Sequence, residues 1–402
     1  MCALRQPLNA LYQDEKLTKN ERKNTMKTVR FGLIGCGLMA REFASAAARW
    51  CHLTDDVPRP EIVGICSVVP KEMEWFQKNF PEIKYSVSDY KELLEKEDID
   101  AIYCAVPHNL HEQFYIDIIN SGKALLGEKP FGIDKEANEK IMKAIENNPN
   151  TFVRCCSEFP YYPAMQTMIN WFNEGKFGKV LEIHCGFNHC SDMDVTKPIN
   201  WKRMVKFNGE YGCLGDLGIH TQHVPFRLGF KPKTVRAHFS NIVKERPDGK
   251  GGSAVCDTFD NCTIFCTTLN SDGDEIPLTF ETKRMCPGST NRWFFEIYGM
   301  DCSARFSSDD ANAFYYTSSW GKEQSWNRII IGYKPMIPTI TGPIFEFGFT
   351  DAIQQQIAAF MLEYAGVEVP FGLFRPEETA LSHTLATAAL KSFYNKTVEV
   401  IE

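Results

Sequence analysis

Two stretches far apart in the chain carry side chains that can move protons. Gly215-Asp216-Leu-Gly-Ile-His220 places an acid and an imidazole four residues apart, so a helix puts them on one face. A carboxylate that fixes a histidine tautomer is a recurrent acid/base device. His223, seven residues beyond Asp216, extends the same face. The Asp/His/His set can also be read as a metal triad or as a structural polar cluster. Glu128-Lys129-Pro130 is the second stretch. Its lysine directly follows an apolar run, where it can point into a crevice; read alone, the triplet is equally a solvated turn, and Pro130 can be cis.

A third stretch suits phosphate. Gly35-Cys36-Gly37-Leu38-Met39-Ala40 is GxGxxA between a predicted strand and a predicted helix, the context of the dinucleotide fingerprint. Gly35 permits the tight turn, Gly37 lets the backbone approach a pyrophosphate, and Ala40 allows close helix–strand packing. The helix N-terminus, with Leu38 and Met39, offers free N–H groups to the phosphates. The second strand ends at Ser67 without an acid, and Lys71 lies four residues on. A neutral end spares a 2′-phosphate from repulsion, so the cofactor is NAD(P) with a lean to NADP; hydroxyl recognition of NAD by Ser67 is the other reading. Pro107-His-Asn109-Leu-His111 follows the third strong strand, at the strand end where such sheets present ligand contacts. Asn109 is also a candidate cap for the next helix. Beside a cationic nicotinamide, the Lys129 ammonium would be disfavoured. Trp201, Tyr211, Tyr161 and Tyr162 can stack on a sugar or simply fill the core.

These residues need a frame. From Lys27 to about Asn150, apolar runs (28–35, 61–66, 98–106, 124–127) alternate with helical stretches (38–50, 71–79, 111–121, 135–146). Such alternation predicts βαβ units and a parallel sheet. Afterwards strand-like runs follow one another at 179–188, 234–243, 258–269, 277–283 and 292–298, which predicts a mostly antiparallel sheet. Helices are expected at 163–173, 217–228, 351–364 and 377–394. The expected organisation is an extension over 1–26, a dinucleotide-binding domain over 27–150 and an α+β domain over 151–402. Met26 can serve as a start, and the extension has no apolar core of a signal peptide.

The chain has 402 residues, 44% hydrophobic and 24% charged, ordinary for a globular protein. Its 44 basic and 51 acidic residues give a net charge of −7, with no general pull toward nucleic acid or anionic membrane. The fifteen cysteines include no CxxC, which predicts free thiols, no structural zinc and a reducing, cytoplasmic setting. No apolar run is long enough to span a membrane.

GxGxxA, P-x-N-L-H, E-K-P and G-D-x-G-x-H, in this order, resemble the glucose–fructose oxidoreductase and inositol dehydrogenase family (Gfo/Idh/MocA) over roughly residues 27–402. The resemblance implies an α/β fold: a Rossmann domain joined to an α+β domain with a large, mostly antiparallel open sheet, which commonly mediates homo-oligomers (dimer or tetramer). It implies hydride transfer between NAD(P) and a secondary hydroxyl or ketone of a sugar, sugar derivative or cyclitol. Gly35, Gly37 and Ala40 would hold the pyrophosphate, Pro107, Asn109 and His111 would line the cofactor site, and Glu128 would sit near the nicotinamide ribose. Lys129 would contact the reacting hydroxyl, with Asp216 orienting His220 on the substrate side. Trp201-Lys202 resembles the family's Trp-Arg segment. Three departures stand out: the Asn of P-H-N-L-H is shifted, Ser67 stands for a commonly acidic residue, and His223 stands where many members carry an acid. With two of its three ligands so assigned, a metal is not expected. Two other readings use the same residues: redox-neutral glycoside cleavage with tightly bound NAD, and a non-catalytic nucleotide sensor.

Overall fold

The computed structural model describes residues 28–401 apart from 319, 320, 322, 332, 333 and 343. The extension expected over 1–26 lies outside the described residues.

Six parallel strands form the first sheet: β1 (Thr28–Ile34), β2 (Arg59–Cys66), β3 (Tyr85–Val87), β4 (Ala101–Cys104), β5 (Ala124–Gly127) and β6 (Val153–Cys155), in the order β3-β2-β1-β4-β5-β6. β4 and β5 are buried along their whole length, as expected of strands covered on both faces. The covering helices are α1 (Leu38–Ala48), α2 (Pro70–Asn79), the single turn α3 (Lys91–Leu94), α4 (His111–Asn120) and α5 (Lys135–Asn147). The small residues Ala40, Ala44, Ala46 and Ala47 let α1 bury itself closely against the sheet. The sheet runs five residues past the expected boundary at 150, because β6 pairs with β5. A three-residue strand carries too little alternation to be read in sequence.

After α6 (Pro163–Asn173), strand β7 (Val180–His189) enters a second sheet. The chain then forms the turn α7 (Val205–Asn208), helix α8 (Cys213–Arg227), β8 (Thr234–Ser240) and a separate hairpin of β9 (Glu245–Pro247) and β10 (Ser253–Val255). Strands β11 (Asn261–Leu269), β12 (Glu275–Lys283), β13 (Asn291–Gly299), β14 (Ser303–Ser307), β15 (Ala313–Thr317), β16 (Asn327–Ile330) and β17 (Glu399–Val400) complete a nine-stranded sheet. Its order is β16-β15-β14-β13-β7-β12-β11-β8-β17, antiparallel except for the β12/β7 pair. Burial alternates with period two: Cys262, Ile264, Cys266 and Thr268 of β11 face inward, with Thr263 and Phe265 outward. One face therefore carries α8 and α10 (Pro376–Asn395), and the other is open.

The last helices tie the two sheets together. α9 (Phe349–Tyr364) returns to the first domain, where Phe360 meets Phe31 and Arg49 pairs with Asp351 at 3.1 Å. Arg154 of β6 pairs with Glu363 at 3.2 Å. Arg227 at the end of α8 binds Glu378 of α10 through two bonds of 2.6 and 2.7 Å.

Candidate active site

The loops after β1, β2, β4 and β5 open at one edge of the parallel sheet. Gly35 has φ +90°, and a Cβ there would stand 2.5 Å from the Ala105 carbonyl oxygen, so only glycine makes this turn. A Cβ on Gly37 would meet nothing within 4 Å. The backbone faces open space there, the room a pyrophosphate needs. No side chain caps the N-terminus of α1, leaving its amides free. Asn109 does not cap α4, whose N-cap is Leu110. Its Oδ1 is enclosed without a partner, an acceptor awaiting a donor. These features fit a bound dinucleotide.

The neutral end expected for β2 is not neutral. Ser67 Oγ donates to Glu72 Oε2 at 2.9 Å, which brings a carboxylate from the first turn of α2 to that end. Lys71 is exposed on the same turn. The acid was missed because it comes from the following helix rather than from the strand itself.

His111, expected to line the cofactor site, is held within the fold. It is fully buried, its Nε2 3.1 Å from the Val106 carbonyl, and its Nδ1 accepts from Gly132 N–H. It ties the β4 loop to the turn after Pro130. Pro107 is half-buried, and neighbouring His108 places Nδ1 3.1 Å from the Asn208 carbonyl, joining the two domains. Glu128 is buried and accepts from Tyr103 OH at 2.7 Å.

Across this edge stands α8. The Lys129–Pro130 bond is cis, and Lys129 Nζ lies 2.6 Å from the Asp216 carbonyl and 2.7 Å from Asp216 Oδ1. Lys202 Nζ reaches both Asp216 oxygens at 3.1 and 3.0 Å, and Arg284 Nη2 donates to Oδ2 at 3.0 Å. Lys202 sits on a 3-10 turn (Trp201–Arg203) capped by the Asn200 side chain. Trp201 stands edge-on to His108, with ring centroids 4.9 Å apart. Three cations thus share one carboxylate.

This cage overturns the expected Asp216–His220 couple. The i, i+4 spacing is correct, but three full positive charges from other elements occupy both carboxylate oxygens. The acid beside His220 is Glu158, whose Oε2 lies 3.5 Å from Nδ1. His223 also departs from expectation. It is fully buried between Phe371 and Phe374, each 4.8 Å away by ring centroid, and belongs to the core rather than to a substrate surface. Asp216, His220 and His223 do not form a metal triad, and no group of three or more His, Cys, Asp or Glu among the described residues could hold a metal ion.

The charges follow from burial set against this cage. Burial alone would raise Asp216, but Lys129, Lys202 and Arg284 hold it well below the usual carboxylate range. Burial lowers Lys129, but Asp216 and Glu128 outweigh it and the net shift is upward. Lys202 shifts downward, through burial and the neighbouring Lys129 and Arg284. His220 is kept neutral by burial and by Lys129. Burial, then Glu128, pushes Glu158 up to about 8.

Arg284, Glu158, His108, Glu72 and His189, whose Nδ1 lies 3.1 Å from the Thr290 carbonyl, were not singled out in the sequence. Arg284 directly follows β12 and His189 ends β7, and a polar residue closing such a strand was the available signal. Glu158 carries no local signal.

A Rossmann sheet with an open glycine turn, facing a buried lysine–carboxylate cage on a second domain, defines a dinucleotide-dependent enzyme class. Residues 29–154 match the profile described as oxidoreductase family, NAD-binding Rossmann fold, and residues 165–305 match the GFO/IDH/MocA C-terminal domain. The chain belongs to the GFO/IDH/MocA oxidoreductase family and has its NAD-binding fold. It is 22% identical to levoglucosan dehydrogenase of Pseudarthrobacter phenanthrenivorans over 291 residues, 70% of this chain and 74% of that protein. It is 28% identical to a glycosyl hydrolase family 109 protein of Bacteroides thetaiotaomicron over 233 residues, 54% of this chain and about half (47%) of the relative's length. Levoglucosan dehydrogenase in complex with NADH and levoglucosan superposes with a TM-score of 0.82 at 21% identity, covering 93% of this chain and 99% of the other.

Proposed function

We propose that the protein is an NAD-dependent dehydrogenase or reductase acting on a secondary hydroxyl or ketone of a sugar, sugar derivative or cyclitol. The observation that carries this reading is the contact of Lys129 with Asp216, 2.7 Å apart in space and 87 residues apart in sequence, at the ligand-binding edge of the parallel sheet. An ammonium has three N–H donors. Asp216 takes two of those on Lys129, and the third remains for a substrate oxygen. Held there, it stabilises developing negative charge on that oxygen. Asp216 fixes the lysine in place rather than orienting His220. His220, neutral, exchanges the hydroxyl proton. Trp201 and Lys202 flank the cage and are assigned to substrate. Gly35, Gly37, Leu38, Met39 and Ala40 hold the pyrophosphate, Asn109 and Glu128 the nicotinamide end, and Ser67 with Glu72 the adenosine ribose. When bound, the dinucleotide supplies the two-electron acceptor or donor. Glu72 favours NAD, since a carboxylate accepts from a 2′-hydroxyl and repels a 2′-phosphate.

Compartment and assembly belong to the same reading. All described cysteines are free thiols, which suits the cytoplasm, and no described helix is long and apolar enough to cross a membrane. Homo-oligomer contact through the open sheet face is supported by half-exposed Phe265 on that face.

The test is a panel of sugars and cyclitols, levoglucosan and L-sorbose included, with NAD and NADP, read at 340 nm. Turnover that falls at least ~10²-fold in Lys129→Ala, with NADH still bound, is expected. Undiminished turnover in that variant would remove Lys129 from the mechanism. The family 109 relatives favour a second reading, glycoside cleavage without net redox change. Release of nitrophenol from nitrophenyl glycosides with flat 340 nm absorbance would select it.

A further inference from the structure

Among the described residues, the acid at ion-pair distance from His220 is Glu158, which stands outside the cation cage. Its Oε2 lies 3.5 Å from His220 Nδ1, and the carboxyl is buried just before the 3-10 turn Phe159–Tyr161. His220 Nδ1 is enclosed with no hydrogen-bond partner, which leaves Nε2 as the nitrogen available to a ligand. The ring is clamped edge-on between Phe159 and Phe187, with centroids 5.5 and 5.4 Å away, and Trp293 Nε1 donates to the His220 carbonyl at 2.8 Å. Glu158 Oε2 and His220 Nδ1 thus face each other at 3.5 Å with no hydrogen bond closed between them.

We propose that Glu158 sets the tautomer of His220, and thereby decides whether the site withdraws a proton from a bound hydroxyl or delivers one to a bound ketone. The inference rests on His220 as the proton carrier of the reading above. With Glu158 ionised, Nδ1–H donates to the carboxylate and Nε2 is a free acceptor. In oxidation the hydroxyl proton passes to Nε2 and the Nδ1 proton passes to Glu158. The couple gains one proton, the ring stays neutral, and the carboxylate becomes a carboxylic acid. In reduction the path reverses: Nε2–H gives its proton to the substrate oxygen, Glu158 restores a proton at Nδ1, and the carboxylate is regenerated. The tautomer of a neutral imidazole follows the hydrogen bond its other nitrogen makes.

The surroundings put this exchange within reach. Glu158 is faced by Glu128 and Lys129 from the β5 end and by His220 from α8, with Cys155, Cys156 and Tyr162 on its own segment. His220 is faced by Lys129, Asp216, His189 and Lys202. Burial and Glu128 hold the Glu158 proton up to about 8, while burial and Lys129 keep the ring uncharged. Neutral solution therefore favours Nε2–H and the reductive direction, and mildly alkaline solution favours the free Nε2 and oxidation.

Long-range ¹H–¹⁵N spectra of the full chain, labelled at histidine, read the tautomer directly. A His220→Gln sample identifies the signal. The expected result is Nε2–H at pH 7, Nδ1–H at pH 9.5 and a crossing near 8. In Glu158→Gln the side-chain amide donates to Nδ1 at every pH, so Nε2–H persists throughout. Glu158→Asp withdraws the carboxyl by one methylene, and the crossing is lost there also. One tautomer over the whole range in the unsubstituted chain, or an unchanged crossing in Glu158→Gln, would overturn the proposal. These spectra need no substrate, so a sugar panel without turnover defeats the proposed function and leaves this test standing. With an active sugar, Glu158→Gln, which can neither take a proton from Nδ1 nor return one, is expected to slow both oxidation at pH 9 and reduction at pH 7 about tenfold or more. Undiminished rates in either direction would count against the proposal.

Discussion

Asp216 shows how one carboxylate organises a site. It is 3% exposed and carries three cations, of which Arg284 is as buried as the acid itself. Breaking a buried pair by removing one partner leaves an uncompensated charge and costs about 3–5 kcal/mol. Asp216→Asn should lose stability of that order at pH 7 in urea unfolding. The sign with pH follows from its depressed pKa. The contribution is present above the ordinary carboxylate range and is lost as pH falls through the folded value. The gap between the two proteins should therefore narrow in acid; a constant gap down to pH 3 would contradict the assignment. Glu72 makes the matching case for the cofactor. Glu72→Ala removes a charge from the end of β2 while leaving Ser67 in place. It should raise NADP-dependent activity relative to NAD-dependent activity at least tenfold. An unchanged ratio would place the ribose elsewhere.

At the scale of the element, the glycine turn between β1 and α1 separates fold from function. The Gly35 backbone lies in the left-handed region with the Ala105 carbonyl against it, so Gly35→Ala must distort the turn and should lower the melting temperature. Gly37 is extended (φ −76°, ψ −163°) and open, and Gly37→Ala should fold normally. It should nonetheless weaken NADH binding about tenfold or more, because the methyl occupies space that the phosphates need. Fluorescence titration of NADH beside a melting curve distinguishes the two. Equal affinity in Gly37→Ala would move the pyrophosphate off this loop. Helix α8 depends on a similar device. Gly212 has φ +58° and a Cβ there would stand 2.7 Å from Phe259 N, so the chain turns tightly against the second sheet before Asp216.

Over the whole molecule, the two sheets are held as one unit by helices from the end of the chain. Phe360 of α9 is fully buried against Phe31 of β1 and against Phe152, with centroids 6.0 and 5.2 Å apart. Phe360→Ala should cost about 3–5 kcal/mol, the usual range for a buried aromatic truncated to alanine. Because α9 (Phe349–Tyr364) is remote from β1 (Thr28–Ile34) in sequence yet packs beside it, NADH binding and the far-ultraviolet circular dichroism signal should be lost in one transition. Separate transitions would mean that the domains unfold independently. The same closure sets the candidate site, since Lys129 follows β5 of the first sheet, whereas Asp216 on α8, Lys202 on the turn Trp201–Arg203 and Arg284 after β12 come from the second half of the chain.

The residue pattern by itself determined the parallel sheet, the glycine turn and the second, mostly antiparallel sheet. Those signals are local: an apolar run, a period of two, glycines at fixed spacing. It also singled out Lys129, Asp216 and His220, because polar groups at strand ends and on one helix face stand out along the chain. Tertiary structure decided which of them touch. The i, i+4 spacing of Asp216 and His220 permits a couple, but Lys129, Lys202 and Arg284 arrive from separate elements and outbid the imidazole electrostatically. His220 is thereby left to Glu158, and His223 is enclosed by Phe371 and Phe374 from a distant loop. Glu72 reached the end of β2 through the first turn of α2, a placement that no pattern within the strand encodes. Short-range periodicity dictates elements; the competition among charges brought together by folding dictates the partners.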